Sequence, residues 1–410
     1  MAEYLVPTVL AAFVFAYSLV AVRLDRSPLS AAMVAVFCGL IAGPAGLGMV
    51  NLGIRDHGMK LLAELTLAIV LFTDSSKANL SVLRRFEEIP VRLLLIGLPL
   101  TILFGAGLGA VLFPQFQILE MTLLATMLAP TDAALGKPVI TNREVPTPVR
   151  ESLNVESGLN DGICVPIVLL FLALTAGEAK GWDIVQLATW LPVQAIGVGV
   201  IAGVMLGVMG SSALRMASNR NWIRGSWLDV PTTALAILCF SFAQYFGGSG
   251  FIASFVGGMT FGALTKSHKH AVLEAAESVG DTLALLTWFV FGAVLLSVPL
   301  RELNANMLVY AILSLTVIRM VPVLVSVMGL GLKLETKLFL GWFGPRGLAS
   351  LVFAMMMRHE HALPHANMLM TIVSWTIFIS IIAHGVSANP LAKLYAEDLG
   401  ASPEIKLINK

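Results

Sequence analysis

Residues 123–136 read LLATMLAPTDAALG, and residues 339–354 read FLGWFGPRGLASLVFA. Each is an apolar, helix-like stretch interrupted by a proline beside a charge. The first break holds Pro130, Thr131 and Asp132; the second holds Pro345 and Arg346 among Gly341, Gly344 and Gly347. A mid-helix proline removes one backbone hydrogen bond and clashes one turn back. Irregular backbone inside a bilayer survives only beside protein or a water-filled cavity. Half-helix ends carry partial charge, positive at N-termini and negative at C-termini. Asp132 suits the former and Arg346 the latter. Ordinary proline kinks are the simpler reading, and the charge in each break weighs against it.

Composition places these breaks in a membrane. The 410 residues are 57% hydrophobic and 12% charged, with mean hydropathy +0.85. A soluble domain carries about 25% charged residues. The net charge of +1 gives no field to attract nucleic acid. Cys38, Cys164 and Cys239 each lie in an apolar run without metal-ligand spacing, and read as small hydrophobes outside any disulfide. The opening MAEYLVPTVLAAFVF lacks a basic leader and a small-residue cleavage site, so it reads as a retained first helix.

Working outward from the breaks, apolar runs give thirteen candidate spans: 5–22, 29–46, 59–74, 91–113, 118–136, 150–176, 188–209, 228–246, 249–264, 279–298, 305–329, 336–357 and 366–387. Only GGSG separates the eighth from the ninth. With the N-terminus outside, the basic residues in loops and at span ends, all but Arg319 and Arg346, fall on the cytoplasmic side apart from Arg55, Lys60, Lys180, Arg301 and Arg358. That asymmetry predicts an N-out, C-in chain.

The broken spans, fifth and twelfth, are seven apart. Span seven then acts as a linker at 188–209 between repeats at 5–176 and 228–387, and a single linking helix inverts the second copy. The expectation is an all-α polytopic membrane protein with one transmembrane domain over 1–390 and a short cytoplasmic tail over 391–410. It contains two inverted six-helix repeats whose discontinuous helices cross.

A charge inside the hydrocarbon needs a partner, water or a function. The interior acids are Glu64, Asp74, Asp132, Glu156 and Asp161, and the interior bases are Arg319 and Arg346. The densest cluster is RESLNVESGLNDGIC at 150–164. Helical spacing puts Glu156 with Asn160, and Ser157 with Asp161, on adjacent faces. Hard oxygen donors of this kind suit Na⁺. A helix–helix hydrogen-bond network is the alternative.

PTD in the fifth span, ESxxND in the sixth, VIRMVPV in the eleventh and GPRGLAS in the twelfth resemble the monovalent cation:proton antiporters, nearest the electroneutral NhaP/NHE branch. LFTD at 71–74 resembles that family's acidic position in the third span, which favours Asp74 over Glu64. The resemblance implies the NhaA/NhaP-like antiporter fold and a homodimer in the lipid bilayer, here in a prokaryotic cell membrane. Asp161 would bind cation or proton, with Asn160 replacing the second Asp of electrogenic relatives. Thr131 and Ser157 would join Asp161 as Na⁺ ligands. Glu156 would pair with Arg319, and Asp132 and Arg346 would neutralise the crossing. About 23 residues follow the last span, so the expectation is a chain without the nucleotide-binding domain of Kef-type systems.

The resulting expectation is Na⁺/H⁺ antiport, with Li⁺ also accepted, at one-to-one stoichiometry and without a cofactor. K⁺/H⁺ exchange on the same fold is the alternative. A cation channel is more distant, because one chain supplies the whole polar set rather than a ring of subunits. An enzyme finds little support: Ser374, Ser380 and His384 form no recognised nucleophile–base pattern. His268, His270, His359, His361 and His365 read as surface groups near loops without zinc spacing.

Overall fold

A computed structural model of the protein describes residues 4–25, 29–51, 57–78, 87–132, 135–140, 142, 144–176, 182–223, 227, 230–265, 269–296, 303–360, 363 and 365–399. Their secondary structure is helical. In chain order the helices are α1 (Leu5–Asp25), α2 (Ala31–Ala42) and α3 (His57–Lys77). Then come α4 (Glu88–Leu112), α5 (Ile118–Met127), α6 (Lys137–Ile140) and α7 (Thr147–Thr175). After α8 (Trp182–Asn219) follow α9 (Val230–Tyr245), α10 (Gly250–Leu264) and α11 (Lys269–Val290). The last four are α12 (Ala305–Ser326), α13 (Leu334–Trp342), α14 (Leu348–Glu360) and α15 (Ala366–Leu399).

Seven of these helices are long and apolar enough to cross a bilayer, and several shorter apolar helices accompany them. Each stretch marked in the sequence overlaps a helix, with bounds that differ: α8 runs over Trp182–Asn219 where 188–209 was expected. The fifth stretch holds α5, with α6 starting just past its expected end at 136, and the twelfth divides into α13 and α14 around Pro345. GGSG does separate two helices: Gly247 takes φ +72°, and the Ser249 hydroxyl caps α10 by accepting from the Ile252 N–H.

Three irregularities were not legible in the runs. A π turn over Leu93–Gly97 lies within α4, and another over Phe291–Leu295 prolongs α11. A single-residue break at Thr316 divides α12. α15 also continues past residue 390 to Leu399, so the start of the expected tail is helical.

Small residues let these helices approach backbone to backbone. Along α8, Gly199, Gly203 and Gly207 face the carbonyls of Ser249, Ala253 and Gly257 on α10. On its other side α10 sets Gly258 and Gly262 against the Phe72 and Ser76 carbonyls of α3. This small-xxx-small spacing drives close packing where lipid offers no hydrophobic gradient. A Cβ on Gly262 would stand 2.1 Å from the Ser76 oxygen. Gly262→Val is therefore expected to cost about 1–3 kcal/mol by overpacking, seen as a lower unfolding temperature in detergent.

At the centre, α7 packs on α3, α5, α8 and α10, and α14 packs on α3, α5, α7 and α15. The polar face of α7 and both helix breaks thereby meet inside the protein.

Candidate ion-binding site

The two breaks cross and satisfy one another. Proline deprives the chain of N–H groups here, and the surrounding carbonyls and N–H groups need other partners. The Asp132 N–H donates to the Pro345 carbonyl at 2.7 Å. One Asp132 carboxylate oxygen accepts from the Leu348 N–H at 2.7 Å, at the start of α14. Its other oxygen accepts from the Leu135 N–H at 3.3 Å. The Arg346 guanidinium donates to the Ala129 and Pro130 carbonyls just beyond α5, and to the Ser314 carbonyl of α12 at 3.4 Å. An anion thus sits at a helix N-terminus and a cation beyond a helix C-terminus, the favourable arrangement for both. Asp132→Ala would leave two buried N–H groups without an acceptor. It is expected to cost about 2–4 kcal/mol, measured by thermal unfolding.

Beside the crossing, α7 presents its polar stripe. The Ser157 hydroxyl donates to the Thr131 carbonyl at 2.5 Å. The Asn160 amide donates to Thr131 Oγ1 at 2.9 Å, and its oxygen accepts from the Thr131 N–H at 3.3 Å. One helical turn of α7 therefore holds the first break through Thr131. Glu156 faces α12, where Arg319 grips it with both arms. Nη1 lies 2.6 Å from Oε1 and Nη2 donates to Oε2 at 2.8 Å, with both side chains 2% exposed. Gly344 permits this, since a Cβ there would stand 2.5 Å from Arg319 Nε.

Asp161 is different. Its Oδ1 is fully buried and makes no hydrogen bond. It lines a cavity of about 10 Å³ shared with Asp74 of α3, Asp132, Asn154, Gly158 and Phe255. A space of that size holds one small guest. Glu64 is elsewhere, 3.9 Å from Lys60 one turn away on α3. A second cavity of similar size is lined by Thr131, Asp132, Ser157 and Pro345, together with Gly136, Val139, Ile140, Leu153 and Phe343.

The expected site residues therefore gather in one region, but the three expected Na⁺ ligands divide. Asp161 faces one cavity, while Thr131 and Ser157 face the other, and Asp132 borders both. Helical spacing alone could not show this, because the direction of each oxygen depends on the crossing segment beside α7. Among the described residues, no three His, Cys, Asp or Glu side chains come close enough to hold a metal ion. Asp74, Asp132 and Asp161 thus line a space rather than close on a point.

Comparison with known proteins gives this arrangement its context. The family model described as "Sodium/hydrogen exchanger, transmembrane" matches residues 9–394. The chain belongs to the sodium/hydrogen exchanger family. The exchanger is 25% identical over 393 residues to a Na(+)/H(+) antiporter of Schizosaccharomyces pombe, covering 86% of this chain and 82% of that one. It is 29% identical over 265 residues to Na(+)/H(+) antiporter 2 of Zygosaccharomyces rouxii, covering 60% of this chain and 32% of the relative. It is also 21% identical over 399 residues to the K(+)/H(+) antiporter NhaP2 of Shewanella baltica, covering 95% of this chain and 68% of that one. The exchanger shares its fold with the sodium proton antiporter MjNhaP1 of Methanocaldococcus jannaschii. The TM-score is 0.77 at 20% identity, covering 97% of this chain and all of the other.

Some of the exchanger's polar residues were missed in the sequence. Glu120 is buried; it accepts from the Gln117 N–H at 3.0 Å, and its Oε1 lies 2.9 Å from His365 Nδ1. His365 is thus a part-exposed group near a loop, as expected, and is also tied to α5. His384 is buried in α15 and joins Ser380 to the Trp342 carbonyl. The available signal was a polar stripe, Ser380, His384 and Ser387, at i, i+4 and i+7 in an apolar helix. The side chains of His268, His270, His359 and His361 lie outside the described residues. The three cysteines are free thiols.

Proposed function

We propose that this integral membrane protein exchanges Na⁺, and also Li⁺, for H⁺ one for one, with Asp161 hosting cation and proton in turn. The observation that carries the reading is the orphaned Asp161 Oδ1 beside a cavity sized for one small guest. A buried carboxylate oxygen without a partner is costly and calls for a proton or a cation. Membership of the exchanger family and the names of the relatives support the same reading.

The cycle follows from that cost. The protonated group is neutral, and the cation-loaded group is close to neutral. Either can pass a hydrophobic barrier, while the empty anion is too costly to move. That penalty couples the two fluxes. Asn160 carries no charge, and its amide is already engaged with Thr131, so one carboxylate titrates per cycle. Asp132 and Arg346 hold the crossing, and Glu156 with Arg319 locks α7 to α12. Asp74 shares the cavity and would guide the cation. Thr131 and Ser157, on the second cavity, would complete the ligand set once the crossing shifts. The narrow cavities fit an occluded conformation.

The further assignments are a homodimer in a prokaryotic cell membrane, N-terminus outside and C-terminus cytoplasmic. The repeats would meet at 188–209, giving inverted halves. K⁺/H⁺ exchange is the second reading, favoured by the NhaP2 relative that covers nearly the whole chain.

The deciding experiment is pH-gradient-driven flux in proteoliposomes with Na⁺, Li⁺ and K⁺ tested separately. An ionophore arm reports charge movement. Flux with Na⁺ and Li⁺, insensitive to membrane potential, is expected. Flux with K⁺ alone would establish the second reading, and potential-driven flux would overturn the one-to-one stoichiometry. The pH profile should be bell-shaped. At low pH the proton holds Asp161 against the cation, and at high pH too few protons return.

A further inference from the structure

The break in the second discontinuous helix is held from α15, on which the antiport reading places no residue. The last carbonyl of α13, Trp342 O, lies 2.9 Å from His384 Nε2, and the Ser380 carbonyl lies 2.9 Å from Nδ1. Carbonyls only accept, so the imidazole sits between two acceptors and its N–H serves the one beside the nitrogen that carries it. Nδ1 also lies 3.2 Å from the Ser380 hydroxyl, whose oxygen accepts from the Arg346 N–H at 2.7 Å. The Trp342 indole N–H donates to Ser387 Oγ at 2.9 Å, and its ring packs on the imidazole with centroids 5.1 Å apart.

Residues 342 and 346, at the two ends of the extended segment, are therefore both fastened to one face of α15. From that segment the order passes onward. Pro345 O receives the Asp132 N–H, and Arg346 holds the Ala129 and Pro130 carbonyls. Thr131 between them is bonded to Ser157 and Asn160, the neighbour of Asp161. Hydrogen bonds joined by short covalent stretches connect the imidazole on α15 to the turn of α7 that carries Asp161.

We propose that Ser380, His384 and Ser387 form a bracket that keeps the second helix break in register with the first, making His384 a positioning residue for cation binding at Asp161. The inference rests on the antiport reading and adds to it a residue set on a helix that reading leaves idle. Buried hydrogen-bond networks of this kind favour one geometry, and losing a member relaxes it.

The test compares His384→Ala with His384→Gln, whose amide N–H can reach the Trp342 carbonyl. Two readouts are taken on the full chain: the apparent KM for Na⁺ in proteoliposomes, and amide hydrogen exchange over 128–132 and 342–348. His384→Ala should raise KM about fivefold or more, the equivalent of one lost buried hydrogen bond. It should also speed exchange in both segments, and His384→Gln should restore both readouts. A lower unfolding temperature with unchanged KM and unchanged exchange at 128–132 would reduce the bracket to a local packing element and overturn the proposal. Equal damage from Gln and Ala would also overturn it, since the donor to Trp342 would then be irrelevant. If His384→Ala does not fold, Ser380→Ala removes the Arg346 link and is read the same way. Failure of the wild-type protein to exchange any monovalent cation would instead sink the antiport reading, leaving the bracket to be judged by exchange at 128–132.

Discussion

Asp161→Asn is expected to abolish antiport in proteoliposomes while the protein still folds. The carboxamide is nearly the same size and shape, and Asp161 Oδ1 makes no hydrogen bond that the change could break. What disappears is the charge. An amide neither releases a proton nor offers a full negative charge to Na⁺. A bare cation at this depth then meets a penalty of at least about 2.5–3.5 kcal/mol, equivalent to about a hundredfold or more in rate. Neighbouring Asp74 and Asp132 do not substitute. Asp132 already accepts from Leu135 and Leu348, and Asp74 sits on a different helix. The measurement is Na⁺-dependent dissipation of an imposed pH gradient, with size-exclusion profile and unfolding temperature as folding controls. Wild-type-like exchange by this variant would remove Asp161 from the mechanism.

Glu156→Ala is expected to cost about 3–5 kcal/mol of stability, because it strands the buried Arg319 guanidinium. Arg319 Nε already lacks a hydrogen-bond partner. Removing Glu156 takes away both of its short carboxylate contacts. Arg319→Ala strands the carboxylate and should be similarly damaging. Replacing both at once, Glu156→Leu with Arg319→Met, should recover much of the loss, since exchanging a whole buried pair for apolar groups is often neutral or better. Thermal unfolding of the wild type, the two single variants and the apolar double variant makes the comparison. If Glu156→Ala left the unfolding temperature unchanged but raised the KM for Na⁺ strongly, Glu156 would be an ion ligand and its pairing with Arg319 incidental.

Particular residues mark how far the sequence reading reached. Glu156 and Arg319 were paired from the family resemblance, and they meet in a two-armed contact. Asp132 and Arg346 were assigned to opposite helix ends from the sign of helix-end charge, and each stands at such an end. Glu64 and Asp74 could not be separated by hydropathy, because both lie in the third span. The structure puts Asp74 in the cavity and Glu64 beside Lys60. His384 was weighed only as half of an absent nucleophile pair. Its actual partner, a backbone carbonyl from another half-helix, has no sequence signature.

The sequence by itself determined the environment, the helical class, the position of both breaks and most of the buried charges, Glu120 excepted. These follow from properties local to the chain: apolar length against bilayer thickness, the missing N–H of proline, and the cost of an ion in hydrocarbon. Only the tertiary structure decided which oxygens share a cavity, which leave Asp161 alone, and what fastens the second break. Those depend on how α7, α14 and α15 are turned about their axes. That rotation is constrained by close approaches such as Gly162 of α7 to Ile252 of α10 and Gly385 of α15 to Met33 of α2, between residues far apart in the chain.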